Sequence, residues 1–495
     1  MVKRSFSFRL DWLKTAALLY LYVPIFIFLL TWVNLFFALP IGVLGLVMLF
    51  LLCQKNPDEE KQKRILTKQF LIMAVLTFIF IGIWCSLSGL GGFTEQTGDW
   101  KKHNVLLRDL IDKPWPVRYD FNGDGVMSYY IAGYLIPAIV GKILNFDYAQ
   151  IAMLIWAVIG IFIACMYLYR IFGKNKPSNL LVSALVIFAF STFIIPLAGI
   201  YMQWSPKDAG GFGHWISHEA IIQYSSNITL LRWVFPQFVP TLIAVALFIK
   251  EKERIDKWLP LVTPLALYST FTFLGLGIVM FFKFAIDLLH KNKEEITAIV
   301  KAIFSIINLL ALPLLCLLLV YIAGNILQSK PASAGMNFGI LTHKHTKLAL
   351  ILFQLSWLIW FFILYKREKT NSLFWASSIT FFILPFFIMG RWNDLCMRAS
   401  IPALLIYNCI ILKNLLRTIK QKNVFFKTLV VGLIITGFGS FGEIRVGLFN
   451  NGIGIKRYND TFAENTVEFY YFEPNTLYQY ISWEPERFLN KILQK

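Results

Sequence analysis

Long apolar stretches separated by short polar and basic turns dominate the chain. A membrane-spanning helix needs ~20 predominantly apolar residues. Runs of that kind lie near 15–31, 33–53, 69–89, 148–172, 178–202, 233–249, 258–275, 276–290, 295–323, 347–365, 371–390, 398–414 and 425–441. They predict an all-α polytopic membrane protein with about 13 transmembrane helices. The short pair within 258–290 reads equally as one span plus a broken helix.

Three stretches depart from this pattern. Residues 90–146 form a long polar segment between two spans, the first large external loop. Within it Trp100, Leu107, Leu110 and Ile111 recur at helical spacing, with Lys101, Lys102, Asn104 and Arg108 opposite. That predicts a helix lying on the membrane face. Tyr129–Leu144 is apolar and aromatic but short, and counting it as a span would place the basic clusters KEKERIDK and KREK outside. It is therefore expected to lie along the outer leaflet, with Tyr129, Tyr130 and Tyr134 at headgroup level. From about Phe441 the membrane pattern ends: EIRVGLFN and TVEFYYF read as short strands, NTLYQYISWEPERFLNKILQ as a helix. The expected division is a transmembrane domain over 1–440 and a small external tail over 441–495.

Composition agrees. Only 15% of residues are charged and 57% are hydrophobic, where soluble domains carry roughly 25% charged residues. A net charge of +19 would suggest nucleic acid in a soluble protein. Here the cations sit in short turns, so they speak to orientation instead, and no nucleic-acid partner is expected. With the N-terminus cytoplasmic, the inside segments hold 26 Lys and Arg in 70 residues and the outside loops 13 in 119. Excess positive charge inside is the general rule, so the N-terminus is placed in the cytoplasm and the C-terminus outside, in a bacterial plasma-type membrane. The basic start, MVKRSFSFRLDWLK, reads as the lead of a retained first span, not a cleaved signal. The six cysteines form no CxxC pair, which leaves zinc and disulfide frameworks without a motif.

The outer loops carry the candidate chemistry. Asp99 falls in the first turn of the 100–112 helix with His103 one turn on, on the same face. Either Thr97 caps the helix and Asp99 complements its dipole, or Asp99 is a catalytic carboxylate able to deprotonate an acceptor hydroxyl, with His103 beside it. Asp120-Phe-Asn122-Gly-Asp124-Gly begins like a calcium loop, although Ile131 stands where the closing carboxylate belongs. A divalent cation at Asp120, Asn122 and Asp124 and an Asx-rich turn are both open. In the second loop His214 and His218 are either interfacial histidines hydrogen-bonded in a wet loop or, with Arg232, candidates to neutralise a lipid phosphate, and Gln237 is a candidate to bond substrate. The third loop offers Lys330, His343, Lys344 and His345. In the fourth, Arg391 and Arg398 flank Asp394; either Arg391 pairs locally with Asp394 or one of the arginines clamps a phosphate.

The layout resembles the GT-C class of membrane glycosyltransferases, which includes lipid A aminoarabinose transferases and protein O-mannosyltransferases. The resemblance is carried by the 69–89 span, GDWKKHN soon after it, MSYYIAGYLIPAIVGKILNF, and a span closing on the basic MYLYRIFGKNK. Asp99 stands alone where well-marked members often carry two adjacent acidic residues. The resemblance implies a polyprenyl-phosphate-linked sugar donor, a lipid, glycan or protein acceptor, inversion at the anomeric carbon, and Asp99 as base. It also implies a phosphate grip that would use Lys102 and the later basic residues. A transporter or flippase of lipid-linked glycans, or an O-antigen polymerase or ligase, would share the many spans and basic outer loops.

Overall fold

The apolar runs become helices in the computed structural model. It describes residues 10–54, 67–96, 99–120, 123–194, 197, 222–289, 291–326, 339–340, 347–389, 393–449, 480–487 and 489–494. In chain order the helices begin with α1 (Trp12–Trp32), α2 (Leu35–Cys53), α3 (Lys68–Leu87), α4 (Trp100–Asp112), α5 (Ala132–Ile143) and α6 (Phe146–Phe172). There follow α7 (Ser178–Ala189), α8 (Asn227–Glu251), α9 (Trp258–Val262), α10 (Leu265–Tyr268), α11 (Thr270–Leu288) and α12 (Lys293–Ile303). The last are α13 (Ile306–Ile326), α14 (Lys347–Glu368), α15 (Ser372–Ile383), α16 (Asp394–Ala399), α17 (Ile401–Thr418), α18 (Val424–Phe449) and α19 (Leu489–Ile492). Among the described residues nine are long and apolar enough to cross a membrane, counting α16–α17 as one. The chain is an all-α polytopic membrane protein, with five short strands among the described residues.

The departures from the expected thirteen runs have local causes. In 258–275 Pro260 and Pro264 interrupt the helix, leaving α9 and α10 as fragments before the single span α11. This is the broken-helix alternative. Irregular backbone inside an apolar bundle needs internal partners, and finds them: Tyr22 donates to the Pro260 carbonyl at 2.5 Å and Tyr268 to that of Tyr20 at 3.0 Å. The run 295–323 is not one span. It breaks at Ser305, whose hydroxyl donates to the Asp256 carbonyl, while Asn308 donates to that of Ile255. Lys301 thereby stays on α12, an amphipathic helix with no buried residue. Helix α7 ends at Ala189, and Phe190 is extended.

Contacts sort the helix ends into two sets. At the basic end Arg170 pairs with Asp11 at 2.5 Å, Lys14 with Glu251 at 2.6 Å and Lys413 with Glu368 at 2.6 Å; Lys283 pairs with Asp287. The other end, called the loop end here, gathers 88–131, the starts of α8 and α16 and the described tail. There β1 (Arg118–Tyr119), β2 (Gly125–Met127) and β5 (Ile481–Ser482) form an antiparallel sheet with β2 central. The register pairs Arg118 with Val126 and Met127 with Ile481. A smaller pair joins β3 (Gly339–Ile340) to β4 (Phe387–Ile388). The tail runs on beside the end of α1: Asn34 N–H donates to the Ile492 carbonyl at 2.8 Å and Gln494 N–H to that of Trp32 at 2.8 Å.

Two tail expectations are corrected. EIRVGLF is not a strand but the final turns of α18, which runs to Phe449, so the boundary at 441 falls inside a helix. A helix over 475–494 is cut by Trp483-Glu484-Pro485 into β5, a 3₁₀ turn and α19, because proline cannot continue the ladder. TVEFYYF lies outside the described residues.

The Lys14–Glu251 pair has both side chains only 4% exposed, with Lys257 a further 3.7 Å from Glu251. Breaking such a pair leaves an uncompensated buried charge, which costs about 3–5 kcal/mol. Glu251→Met is expected to lower the apparent melting temperature of detergent-solubilised protein markedly. Adding Lys14→Met should recover part of the loss; a single variant as stable as the parent would show that the pair is not holding α1 against α8.

Candidate functional site

The first loop is fixed before it reaches Asp99. Gly89 leaves α3 with φ 93°, and a β-carbon there would stand 2.8 Å from the Trp100 indole nitrogen. Three buried amides then close a ring. Gln96 donates to Gln150 at 3.1 Å, Gln150 to Asn104 at 2.6 Å, and Asn104 back to Gln96 at 2.9 Å. The ring ties both flanks of Asp99 to α6. Asn104, expected on a wet face, is therefore buried: α4 packs within the protein and does not merely rest on a membrane surface.

Asp99 occupies the N-cap position of α4, yet its side chain makes no capping hydrogen bond. It pairs instead with Lys102, and the two side chains remain 26% and 28% exposed. Burial pushes the Asp99 carboxyl up, but Lys102, His103 and Arg398 outweigh it and hold the group below its ordinary value. Burial pulls Lys102 down, and the charge of Asp99 with the phenol of Tyr480 more than reverses that. Asp99 is thus an ionised, partly open carboxylate among cations from two distant parts of the chain. Thr97 lies outside the described residues.

His103 has a different setting. Its ring is buried, with Nδ1 against the Tyr134 hydroxyl and Nε2 3.0 Å from the Trp233 carbonyl. A carbonyl can only accept, so Nε2 carries the proton and Nδ1 accepts from Tyr134. The Trp233 carbonyl sits where α8 kinks at Val234, just before Pro236. His103 thus fastens α4 to that kink, and both its nitrogens are occupied. Burial pushes its pKa down to about 4, against the opposing influence of Asp99. Tyr134, expected at headgroup level, is buried at 1% exposure in this contact.

Across from Asp99 stands Arg398, at the C-terminal end of the short α16. It reaches Asp394 at 3.0 Å and donates to the Tyr130 hydroxyl. Gln237 also donates to that hydroxyl at 3.3 Å and itself accepts from Ser269 at 3.1 Å. Asp394 pairs with Arg398, and Arg391 lies outside the described residues. Tyr129 packs on Tyr130 with ring centroids 3.7 Å apart, and Tyr480 of the tail packs on Tyr129 at 4.6 Å. Burial raises the Tyr129 phenol well above its ordinary value, so it stays protonated.

The other candidates separate. Arg232 is buried and engaged: it donates to the carbonyls of Glu443 and Glu95, each at 3.2 Å, and lies 3.6 Å from the Glu443 carboxylate. It ties α8 to α18 and the loop. The stretch Asp120-Phe-Asn-Gly-Asp-Gly links β1 to β2, and in its described part Gly123 has φ 101° and Asp124 lies 3.6 Å from Arg118. Asp120 and Asp124 are exposed, and Asn122 lies outside the described residues. Among the described residues no cluster of three or more metal-ligating side chains occurs. His214, His218, Lys330, His343, Lys344 and His345 lie outside the described residues as well. Ser269 and Tyr480 carry no local signal in the sequence, which places Tyr130 only at headgroup level and Asp394 only as a partner of Arg391.

No family model, curated protein or solved structure matches the chain.

The His103 shift sets a pH dependence. Between its unfolded value near 6.5 and about 4 the unfolded chain binds a proton that the folded one excludes, so stability falls as pH drops through that window. The loss is expected to be on the order of 3 kcal/mol. His103→Gln, which can still bond at both ends, should flatten the melting-temperature profile between pH 6.5 and 4; an unaltered profile would place the dependence elsewhere.

Proposed function

We propose that the chain is a membrane glycosyltransferase of GT-C type, taking a sugar from a polyprenyl-phosphate donor to an acceptor hydroxyl at the external face. The observation that carries this reading is the meeting of Asp99, Lys102 and Arg398 at the loop end, partly open and walled by tyrosines. A donor phosphate calls for cations, and guanidinium geometry suits it. An acceptor hydroxyl calls for a base within reach. With the basic end in the cytoplasm, as the positive-inside rule favours, the site opens to the outside. Thirteen crossings result if α7, α15, α18 and the broken α9–α10 segment each traverse the bilayer.

In this reaction Asp99 takes the acceptor proton as the acceptor oxygen attacks the anomeric carbon from the face opposite the phosphate. The bond from anomeric carbon to phosphate oxygen breaks with inversion, and polyprenyl phosphate leaves with its negative charge against Arg398 and Lys102. Lys102 couples the two events. While it sits on Asp99 it lowers the basicity of the carboxylate; a phosphate that draws the ammonium away raises it when substrate is bound. Glu251, Glu368 and Asp11 at the basic end are closed against cations within the protein, so ion-coupled transport through them has less to support it.

Proteoliposomes supplied with radiolabelled undecaprenyl-phosphoglucose and a panel of lipid and glycan acceptors test the reading. Asp99→Asn is expected to reduce transfer about 100-fold or more, the scale of a lost general base, with insertion unchanged. Arg398→Lys should chiefly raise KM for the donor. Transfer by Asp99→Asn at the parent rate would remove Asp99 from the mechanism.

A further inference from the structure

We propose that the face of Tyr130 turned away from Tyr129 is the wall on which the donor's sugar ring packs, and that Tyr129 and Tyr480, stacked behind it, hold this wall in place. The inference rests on the sugar-transfer reading and adds the surface that recognises the sugar itself.

Both tyrosines are only partly buried, whereas Tyr480 behind them is 3% exposed. The wall is fixed at every side. Tyr130 is held at its hydroxyl by Arg398 and Gln237 and at its face by Tyr129. The Tyr129 backbone N–H meets the Tyr321 hydroxyl at 3.4 Å, and its ring is backed by Tyr480. Tyr480 is delivered by strand pairing: Ser128 N–H donates to its carbonyl at 2.8 Å, and β5 continues the ladder on β2. Ser482 anchors the strand by donating to the Gly324 carbonyl at 2.7 Å.

Sugar rings present a face of C–H groups and an edge of hydroxyls. Aromatic faces carry negative quadrupole charge and suit the C–H face, while fixed polar groups around an apolar wall orient the edge. Arg398 donates to the Tyr130 hydroxyl, and Asp99 and Lys102 lie in the reach of its charge. A wall for the prenyl chain would not need that ring of charge. Tyr130 is therefore assigned to the sugar, and Tyr129 and Tyr480 are positioning residues.

Binding is measured on reconstituted full-length protein in the Asp99→Asn background, with undecaprenyl-phosphoglucose and undecaprenyl phosphate as separate probes. Measured against Tyr130→Phe, which loses the hydroxyl contact and keeps the ring, Tyr130→Ala is expected to weaken the sugar-bearing probe about tenfold, a modest packing loss, and to leave the sugarless one within about twofold. Tyr480→Ala should show the same selectivity at a smaller size, with Tyr480→Phe near the parent. Equal weakening of both probes would assign the wall to the prenyl chain, and no weakening of either would remove it from the site; each overturns the proposal. A loss in Tyr480→Phe matching Tyr480→Ala would overturn the role of the Tyr480 ring. Selective binding in a protein that never turns over would sink the transfer reading and leave the wall standing; turnover with unselective variants would do the reverse.

Discussion

A charge carried into an apolar helical bundle must be met by a countercharge or by fixed dipoles, and this requirement divides the ionisable residues into two groups. At the basic end Glu251, Glu368 and Asp11 are almost fully covered, and each is closed by a cation from another helix. These pairs fasten the bundle. At the loop end Arg232 is spent in the same way on Glu443. Asp99, Lys102 and Asp394 keep roughly a fifth to a quarter of their surface open. Those pairs can exchange a partner for a ligand, and the covered ones cannot.

The open group is useful only because what surrounds it is rigid. The amide ring of Gln96, Asn104 and Gln150 clamps the chain on either side of Asp99 to α6. His103 fastens the same helix to the kink in α8, where proline has disturbed the ladder and left a carbonyl to be met. Through Gln237, three residues beyond the kink, α8 also reaches Tyr130 and Ser269. One distortion in one helix thus aligns the carboxylate side of the site with the arginine side.

Much of the fold was legible because a span must be long and apolar whatever its neighbours are. Helix α4 was legible too, since its apolar spacing is local, and its bounds agree with the periodicity. Breaks inside uniformly apolar runs were harder, because hydropathy does not register Pro260 and Pro264, or the polar anchors Ser305 and Asn308. The site was half legible. Local spacing places His103 near Asp99, but its partner carbonyl is 130 residues away, and nothing near it announces that both nitrogens are taken. Arg398 meets a hydroxyl 268 residues distant. Asn104 and Tyr134 read as wet positions by their chemistry and are buried by partners that no period encodes.

The three-stranded sheet has a consequence for how the protein is made. Its outer strands come from residues 118–119 and 481–482, so the first large loop waits, two strands wide, for a strand made more than 300 residues later. A chain stalled after α18 would lack the strand that completes this sheet. The unpaired edge of β2 would then mark the polypeptide as unfinished to any protease or chaperone that inspects such edges.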